Sequence, residues 1–570
     1  MKMPFIVNRR DIRSSVPRPA QRSSPTAGFF TVLLAAVLPA VIGPSSAYAQ
    51  GDPNAAACAA IRGVSLDNLA DDVSARVFAA TLVTVPAAGL PAPGLPLNWS
   101  IDSSRIKQYC EVQGYAARQN AFLLRLPLPT DWNQKMFFTA CDAFCGTLTP
   151  SRTNAGLVEG YASYVANGGH STAGGFDGVW AYQDAGLQDD FAYRGNHAVT
   201  VAVKAIAQAY YGKPVSRAYM AGYSKGGQAG LIEAQRYPAD FDGIIVIAPV
   251  YQYTNTSIIK MAWSVQSNTD ATGSTIVDGA AATTIHNAAL AACDGNDGLV
   301  DGWIADPFRC SFNPATLACT GGATNNCLTP AQVIAAHKLY AVPTNSTGAK
   351  VYNTGYAIGS ETEWGGWVYP FITPAGPISI PKGIYYNFVR YLAFDTAPSP
   401  AFLSVDPTKF NFDTDPAKLR RPRLEYDSDD PNLAAFKARG GKILMWHGLA
   451  DGGIPPGASV DYYDRVLRSM GGVTNTKDFL RLFFLPAVHH GGGGPGPDQF
   501  NSLDVISNWV EKGQDPFILI LGHKAGDTID RTYPVYPYPL VTRYNGSGNP
   551  ADWQSFHAID PGTGAKRTSF

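Results

Sequence analysis

Three runs of mainly apolar residues constrain the fold more than any other feature of this sequence. They are Gly243–Ala248 (GIIVIA), Lys442–Trp446 (KILMW) and Leu482–Leu485 (LFFL). A run without polar alternation is typical of a parallel strand that is buried on both faces. Segments with helical character, His197–Tyr211 and Lys225–Arg236, alternate with such strands. This alternation predicts an α/β fold with a doubly wound, mostly parallel sheet.

The middle of the chain differs in composition from the segments on either side. Residues 251–420 are rich in Asn, Thr, Gly, Pro and aromatic residues and contain few strand-like runs. A segment of this length is too long to be a simple connection. We therefore predict a catalytic domain formed by residues 50–250 and 421–570. Residues 251–420 form an inserted lid domain over the carboxyl edge of the sheet.

The first 49 residues have the pattern of a targeting segment. Five arginines precede an apolar run that begins at Ala27, and Ala47-Tyr48-Ala49 follows as a cleavage site. This pattern predicts a signal peptide over residues 1–49. The mature protein is then secreted or periplasmic, without a membrane anchor after cleavage. A membrane anchor is the alternative interpretation, but Pro39 and the short apolar run argue against it.

Charge and cysteine content narrow the class of protein further. The formal net charge is −1, so no basic surplus indicates a nucleic-acid partner. Eight cysteines in an exported chain favour four disulfide bonds. Their order along the chain suggests the pairs Cys58–Cys110, Cys141–Cys145, Cys293–Cys310 and Cys319–Cys327.

The segment Ala221–Gly227 (AGYSKGG) contains a G-x-S-x-G motif between a predicted strand and a predicted helix. That order is typical of a nucleophile elbow, in which a tight turn exposes the serine at a helix N-terminus. Ser224 would be the nucleophile, and the backbone N–H of Lys225 would face a developing oxyanion. The alternative is an incidental glycine-rich turn.

Candidates for the acid and the base follow two later strands in the order that the elbow requires. Asp451 follows the strand KILMW, and His489 and His490 follow LFFLPAV. Either histidine could take the serine proton, while the carboxylate would orient the imidazole. His447 lies in the same loop as the acid, and we assign it a structural role.

A second motif, CDGNDGLVDGW, crowds Asp294, Asp297 and Asp301 into eight residues. Carboxylates this close repel one another unless a hard cation lies among them, and Ca²⁺ accepts such oxygens. The loop lacks the glutamate of an EF-hand at its twelfth position. A turn stabilised by aspartate side chains is the alternative. If a metal binds, we expect its role to be structural.

Several segments together resemble the tannase and feruloyl esterase family of α/β-hydrolases, which also contains mono(2-hydroxyethyl) terephthalate hydrolase. The likeness extends from Cys58 to about Asn549 and is carried by GYSKGG, RYPADFDGIIVIAP, CDGNDGLVDG, HGLADGGIPPGASVDYYDRV and FFLPAVHHGGGGPG. The resemblance implies the triad Ser224, Asp451 and His490. It also implies calcium ligands at Asp294, Asp297, Asp301 and the carbonyls of Leu299 and Trp303, and no organic cofactor.

Two departures from the family pattern concern the loops around the triad. Family members carry cysteines before the serine and after the histidine, which form a bridge between the two loops. This chain has Tyr223 and Gly491 there, so that bridge cannot form. The family's glycine-rich oxyanion loop corresponds here to Ala140–Gly146, which makes the N–H of Ala143 the second expected oxyanion donor.

The resemblance also suggests which residues contact substrate. The lid of the family builds the pocket for the acyl group, and Ile454 corresponds to a pocket-lining position beside the acid. Aromatic lid residues would stack on an aromatic acyl group, although packing within the lid is the alternative for each of them. The candidates from the lid are Trp364, Trp367, Tyr386 and, near the position of a carboxylate-binding arginine, Lys382.

These observations predict a secreted serine carboxylesterase that acts on small esters of hydroxycinnamic or gallic acids through an acyl-enzyme. Two alternatives within the family are a terephthalate-monoester hydrolase and a broad esterase. A calcium-bound exported binding protein on a hydrolase scaffold is the alternative outside enzymes. The pattern contains no information on the oligomeric state.

Overall fold

A mixed sheet forms the centre of the computed structural model, which describes residues 52–322 and 325–567. The predicted signal peptide lies outside the described residues. The strands are β1 (Ala75–Thr84), β2 (Gln108–Ala116), β3 (Asn120–Pro127), β4 (Lys135–Thr139), β5 (Ala162–Ala166), β6 (Arg217–Tyr223), β7 (Gly243–Ile247), β8 (Phe371–Thr373), β9 (Gly376–Ile378), β10 (Lys442–Gly448), β11 (Leu480–Leu485), β12 (Leu519–Ala525), β13 (Thr528–Val535), β14 (Val541–Tyr544), β15 (Phe556–Ile559) and β16 (Lys566–Arg567).

The α-helices connect these strands or build the inserted segment. They are α1 (Pro53–Ala60), α2 (Asn154–Val158), α3 (Ala185–Asp189), α4 (Gly195–Tyr211), α5 (Lys225–Arg236), α6 (Tyr253–Asn255), α7 (Met261–Ser267), α8 (Gly279–Cys293), α9 (Pro330–Tyr340), α10 (Ile380–Asn387), α11 (Arg420–Tyr426), α12 (Ala434–Ala438), α13 (Gly457–Ser469), α14 (Val473–Thr476) and α15 (Ser502–Lys512). Within the described residues, none of these helices is long and apolar enough to cross a membrane.

The order of strands in the central sheet is β1-β2-β3-β5-β4-β6-β7-β10-β11. The pairs β1–β2, β2–β3 and β3–β5 are antiparallel, and β5, β4, β6, β7, β10 and β11 run parallel to one another. The carboxyl ends of the parallel strands therefore meet at one edge, where loops can collect reactive side chains. The predicted mostly parallel α/β sheet is confirmed.

Strand β7 shows why the apolar runs indicate parallel strands. Ile244 and Val246 pack in one cluster with residues of α4, α5 and α13. Ile245 and Ile247 pack in another cluster with residues of α2 and α15. Because successive side chains point to opposite faces, helices on both sides require apolar residues at every position.

The inserted segment has a core of its own and also shares one with the catalytic part. Val277, Ile285, Leu339 and Trp364 belong to a cluster formed within the insertion. A further cluster joins residues of the insertion, such as Tyr385, to Phe144 and other residues outside it. The lid boundaries themselves stay a prediction.

All four predicted cysteine pairs are bonded in the structure: Cys58–Cys110, Cys141–Cys145, Cys293–Cys310 and Cys319–Cys327. The first pair links α1 to β2. The second closes the loop after β4, and the third brackets the aspartate-rich loop.

Candidate active site

Ser224 stands alone between β6 and α5, at the carboxyl edge of the sheet. Its backbone has φ 58° and ψ −118°, a conformation that is costly for a residue with a side chain and is seen where the surroundings impose it. The Ser224 N–H donates to the carbonyl of Ile247 at 3.0 Å, and its own carbonyl accepts from Gln228 N at 3.0 Å. The sheet and the helix therefore hold the turn.

Two glycines allow this turn to be so tight. A Cβ on Gly222 would clash with the backbone of Gly226, and a Cβ on Gly227 would lie 2.6 Å from the Ile247 carbonyl oxygen. The helix can therefore approach the strand only if these positions lack side chains. The interpretation of AGYSKGG as an elbow agrees with this geometry.

Asp451 lies in the acid loop, residues 449–456, which follows β10. Its Oδ1 accepts hydrogen bonds from the N–H groups of Gly453 at 2.8 Å and Ile454 at 2.7 Å. Its Oδ2 accepts from His490 Nδ1 at 2.7 Å and His447 Nε2 at 3.0 Å. Burial acts to raise the pKa of Asp451, but these histidines lower it below its usual range. The side chain is therefore a buried carboxylate.

His490 lies in the histidine loop, residues 486–501, which follows β11. Burial acts to lower the pKa of His490, but the carboxylates of Asp451 and Glu363 raise it above its ordinary value. With Nδ1 bonded to Asp451, Nε2 is the ring nitrogen left to exchange a proton with a substrate or a serine. His489 is turned elsewhere, because its Nε2 lies 2.9 Å from Thr362 Oγ1.

His447 is the second histidine on Asp451, and it is fully buried. Its Nε2–H is shared between Asp451 and the Ile454 carbonyl at 2.8 Å, and its Nδ1 lies 2.8 Å from Ser459 Oγ. These contacts support the Asp451 side chain from behind. The arrangement agrees with the structural role that the sequence suggested.

Ser224 and His490 line one cavity of about 250 Å³, which we call the site cavity. Its wall is mostly apolar and aromatic. The other lining residues are Asp142, Ala143, Phe144, Phe176, Tyr223, Lys225, Val250, Tyr253, Thr256, Ser257, Met261, Trp367, Ile384 and Ile454. An apolar cavity with a few convergent polar groups is the usual form of a small-molecule site.

Ala143 and Lys225, the two expected oxyanion donors, both line this cavity. Lys225 is the first residue of α5, where backbone N–H groups have no partner within the helix. The N–H groups of Phe144, Cys145 and Gly146 donate to the carbonyls of Gly175, Asp142 and Asn167. Ala143 precedes them at φ 53° and lines the site cavity, so its N–H stays the predicted second donor.

Comparison with known proteins identifies the family. The sequence profile described as "Tannase and feruloyl esterase" matches residues 105–559. The chain belongs to this family. It is a carboxylic ester hydrolase. The resemblance noted in the sequence is thereby confirmed.

Two curated relatives and one solved structure illustrate the relationship. Mono(2-hydroxyethyl) terephthalate hydrolase of Piscinibacter sakaiensis is 31% identical over 540 residues, which covers 83% of this chain and 87% of the relative. A probable feruloyl esterase of Arthroderma benhamiae is 31% identical over 454 residues, which covers 75% of this chain and 80% of the relative. The crystal structure of feruloyl esterase B from Aspergillus oryzae superposes with a TM-score of 0.74 at 24% identity, over 89% of this chain and 100% of that one. This likeness confirms the α/β-hydrolase fold.

Ile454 and Trp367 are the predicted substrate-binding residues that line the site cavity of this esterase. Trp364 does not: it is fully buried against Tyr340 and Tyr356, and its Nε1 donates to Ser360 Oγ. It therefore belongs to the lid core, which corrects the prediction.

Tyr386 and Lys382 also lie outside the site cavity. Tyr386 is 39% exposed and contacts the Tyr391 ring. Lys382 borders a different, smaller cavity that shares Trp367 with the site cavity. Of helix α10, Ile384 lines the site cavity and these two residues do not, so neither fits the predicted role in this structure.

Packing replaces the bridge that this esterase lacks beside Ser224 and His490. A Cβ on Gly491 would overlap the Tyr223 ring, so the ring lies directly against the histidine loop. The Tyr223 and His490 ring centroids are 5.6 Å apart. The elbow and the histidine loop are therefore joined by a van der Waals contact.

Sequence reasoning missed two charged residues beside Asp451, Glu363 and Lys260. Glu363 Oε2 accepts from the N–H groups of Gly452 at 2.7 Å and His490 at 3.0 Å. Lys260 Nζ donates to the Gly453 carbonyl and to Tyr356 OH, both at 2.7 Å. Both residues come from the inserted segment. The one available signal was a charged residue next to an apolar or aromatic neighbour, Trp364 for Glu363 and Ile259 and Met261 for Lys260, which is too common to indicate a site.

The aspartate-rich loop is closed by its own hydrogen bonds. Asp294 accepts from the N–H groups of Asp301 at 3.0 Å and Gly302 at 2.9 Å. Burial and the neighbouring carboxylates raise the pKa of Asp297 to about 6 and that of Asp301 to about 7. Arg531 Nη1 pairs with Asp301 at 3.2 Å, which leaves the loop with more negative than positive charge.

A tighter group of metal-type side chains lies elsewhere. In the part of the chain that the structure describes, His197, Glu233 and Asp240 are the residues whose ligand atoms all lie within 4.8 Å of one another. His197 Nδ1 already bonds Asp240 at 2.6 Å. Burial, with the charge of Asp240, raises the pKa of Glu233 well above its usual value. A shared proton therefore accounts for this acid pair without a metal.

Proposed function

We propose that this protein is an exported serine esterase that hydrolyses esters of aromatic acids through an acyl-enzyme. One observation supports this most strongly: a serine on a strained elbow and a histidine bonded to a buried carboxylate line the same apolar cavity. The four disulfide bonds support export.

The reaction follows from the positions of these groups. Ser224 Oγ attacks the ester carbonyl while His490 Nε2 takes its proton, and Asp451 stabilises the imidazolium. The N–H groups of Lys225 and Ala143 hold the oxyanion. The alcohol leaves with the proton from His490. Water, deprotonated by the same nitrogen, then cleaves the acyl-enzyme to release the acid and Ser224.

The wall of the site cavity favours an aromatic acyl group. Phe144, Phe176 and Trp367 present rings, and Ile454 and Met261 present aliphatic surface. Aromatic rings pack well on such surfaces. The names of the two curated relatives refer to feruloyl and terephthalate esters, whose acids are aromatic.

A terephthalate monoester is the second candidate substrate, since one relative at 31% identity is named for it. Such a substrate keeps a free carboxylate. Among the described residues that line the site cavity, Lys225 is the one lysine or arginine, and its Nζ donates to Gln228 Oε1 at 2.8 Å. Burial lowers the pKa of Lys225 to about 7. The cavity therefore favours an uncharged aromatic acyl group.

A substrate panel tests this preference. Burial of one aromatic ring predicts kcat/KM for a ferulate or gallate ester about 50-fold above that for the matching acetate ester. Trp367→Ala is expected to reduce that ratio. Lys382→Ala is expected to leave the ratio of terephthalate monoester to ferulate unchanged, because Lys382 lies outside the site cavity. Equal turnover of acetate and ferulate would instead indicate a broad esterase, and preference for the monoester would favour the second candidate.

Calcium in the aspartate-rich loop is a further part of the proposal. The donors would be oxygen atoms only, as Ca²⁺ prefers, and the surplus of carboxylates beside Arg531 suits a divalent cation. The ion would stabilise the loop against charge repulsion and would supply no reacting group. The residues that would hold it are Asp294, Asp297, Asp301 and the carbonyls of Leu299 and Trp303.

Removal of calcium is expected to lower the melting temperature. At a calcium concentration 100 times Kd, binding adds about 2.7 kcal/mol of stability, which corresponds to roughly 2 to 3 °C for a chain of this size, because the shift in melting temperature falls as the unfolding entropy grows with chain length. Scanning calorimetry with calcium, with magnesium and with a chelator would measure it, and Asp297→Asn should abolish the calcium response. Loss of activity on chelation at an unchanged melting temperature would contradict a structural role.

A further inference from the structure

The inserted segment contacts both loops that carry the acid and the base. Glu363 uses a single oxygen, Oε2, to accept the N–H of Gly452 in the acid loop and the N–H of His490 in the histidine loop. These loops follow the neighbouring strands β10 and β11. The carboxylate of Glu363 therefore links the acid loop to the histidine loop. It contacts Gly452, which is next to the proposed acid Asp451, and His490, which is the proposed base.

Adjacent residues of the segment 360–367 reinforce this link. Thr362 Oγ1 lies 2.9 Å from His489 Nε2, and the Trp367 ring meets the His490 ring edge-on at 5.9 Å between centroids. A Cβ on Gly452 would lie 2.6 Å from the Glu363 carbonyl oxygen, and one on Gly453 would lie 2.7 Å from Trp367. The two glycines after Asp451 thus allow the lid to approach the acid loop this closely.

The surroundings of Glu363 are charged as well as buried. Burial, with the Asp451 charge, raises the pKa of Glu363 to about 7. Burial lowers the pKa of Lys260 to about 7 against the opposing effect of Asp451 and Glu363. The titratable groups that act on Glu363 or on His490 are Asp451, Lys260, Tyr356 and Asp142, together with His447 and His489 beside Asp451.

We propose that Glu363 is a positioning residue that fixes the backbone of His490 against the acid loop and whose charge favours protonation of the base. The inference rests on the proposed function of Ser224, Asp451 and His490. It assigns the lid a second task besides lining the site cavity. Tyrosine and glycine stand beside Ser224 and His490 in place of the family's cysteines, so no disulfide bond fixes the histidine loop there. The hydrogen bonds of Glu363 restrain this loop more tightly than the packing of Tyr223 alone would.

Two substitutions of Glu363 separate the effect of its hydrogen bonds on the position of His490 from the effect of its charge. Glu363→Ala removes the acceptor, and we expect kcat to fall about 10- to 100-fold with a smaller change in KM, since misplacement of a catalytic group by about 1 Å has such an effect. Glu363→Gln retains one oxygen that can accept both N–H groups, so it should recover most of the kcat lost in the alanine variant.

The dependence of kcat/KM on pH measures the effect of the Glu363 charge on His490. His490 must be neutral to take the serine proton, so kcat/KM falls as the pH drops through the pKa of His490. Because the Glu363 carboxylate raises that pKa, Glu363→Gln should move the acidic limb to lower pH, by about one unit. Because protonation of Glu363 would remove the charge that raises the pKa of His490, the native limb should be the shallower one, and the limb of the variant should be steeper, closer to that of a single group.

Glu361 provides the matched control. It belongs to the same turn and is also buried, but it accepts from Gly359 N–H and Tyr340 OH within the lid. Glu361→Gln is expected to change the melting temperature without moving the acidic limb. All rates should be expressed per active site, with the concentration of active sites measured by labelling with an organophosphorus reagent. Misfolded protein then does not lower the rate that is compared.

Two results would overturn the inference: Glu363→Ala with native kcat and native pH profile per labelled site, or Glu361→Gln with the same shift of the limb as Glu363→Gln. Failure of the proposed function looks different, because Ser224→Ala would then keep native activity whatever the behaviour of Glu363.

Discussion

Replacement of Ser224 by alanine is expected to lower kcat by about 10⁴- to 10⁶-fold, the loss seen when the nucleophile of a serine hydrolase is removed. Ser224 stands on the elbow and lines the site cavity together with His490, and the variant lacks the hydroxyl that the proposed attack requires. KM should change little, because the apolar wall that binds the acyl group is untouched.

Two measurements check this expectation. An organophosphorus reagent should add one adduct per chain, on Ser224, in the native protein and none in the variant, as intact and peptide mass spectrometry can show. Ser257, which lines the same cavity, is the matched control: Ser257→Ala should lose no more than about tenfold, the effect of one hydrogen bond. An alanine variant at Ser224 that retains native activity would exclude the acyl-enzyme mechanism.

Replacement of Asp451 by asparagine is expected to lower kcat by about 10⁴-fold near neutral pH. Asparagine can keep the two bonds from Gly453 and Ile454 N–H through its oxygen. Its amide group then faces His490 Nδ1 as a donor. His490 must adopt the tautomer with the proton on Nε2, which cannot accept the proton of Ser224.

The second histidine on Asp451 supplies the control for this variant. Asp451→Asn disturbs His447 as well as His490, whereas His447→Gln leaves the bond between Asp451 and His490 in place and disturbs the contacts of His447 with Asp451, Ile454 and Ser459. We expect His447→Gln to lose about tenfold, in proportion to one hydrogen bond, with far-ultraviolet circular dichroism and melting temperature measured in parallel. Equal losses in the two variants would show that His447 rather than His490 is the partner that matters.

Features encoded within short stretches were predictable from the sequence. The apolar runs mark β7, β10 and β11, because a strand covered by helices on both faces needs an apolar side chain at every position. The predicted helix 225–236 has the bounds that the structure shows. AGYSKGG and the later Asp451 and His490 follow because the elbow and the loops after two further strands occur in a set order.

Other features depended on how distant segments pack. Trp364, Trp367, Tyr386 and Lys382 all belong to one aromatic-rich stretch, and nothing in their spacing separates the ring that lines the site cavity from the ring in the lid core. Only the direction in which each helix or turn presents its side chains decides this. Glu363 was missed for the same reason.

The sequence by itself therefore determined the class of fold, the family and the candidate nucleophile, acid and base, since each follows from patterns within a few residues. The tertiary structure decided which lid residues reach the site and that Glu363 bonds His490 across 127 residues of chain. The physical reason is that a hydrogen bond or ring contact depends on distances of a few ångströms between backbones, and the local pattern of a segment does not specify which distant segment lies beside it.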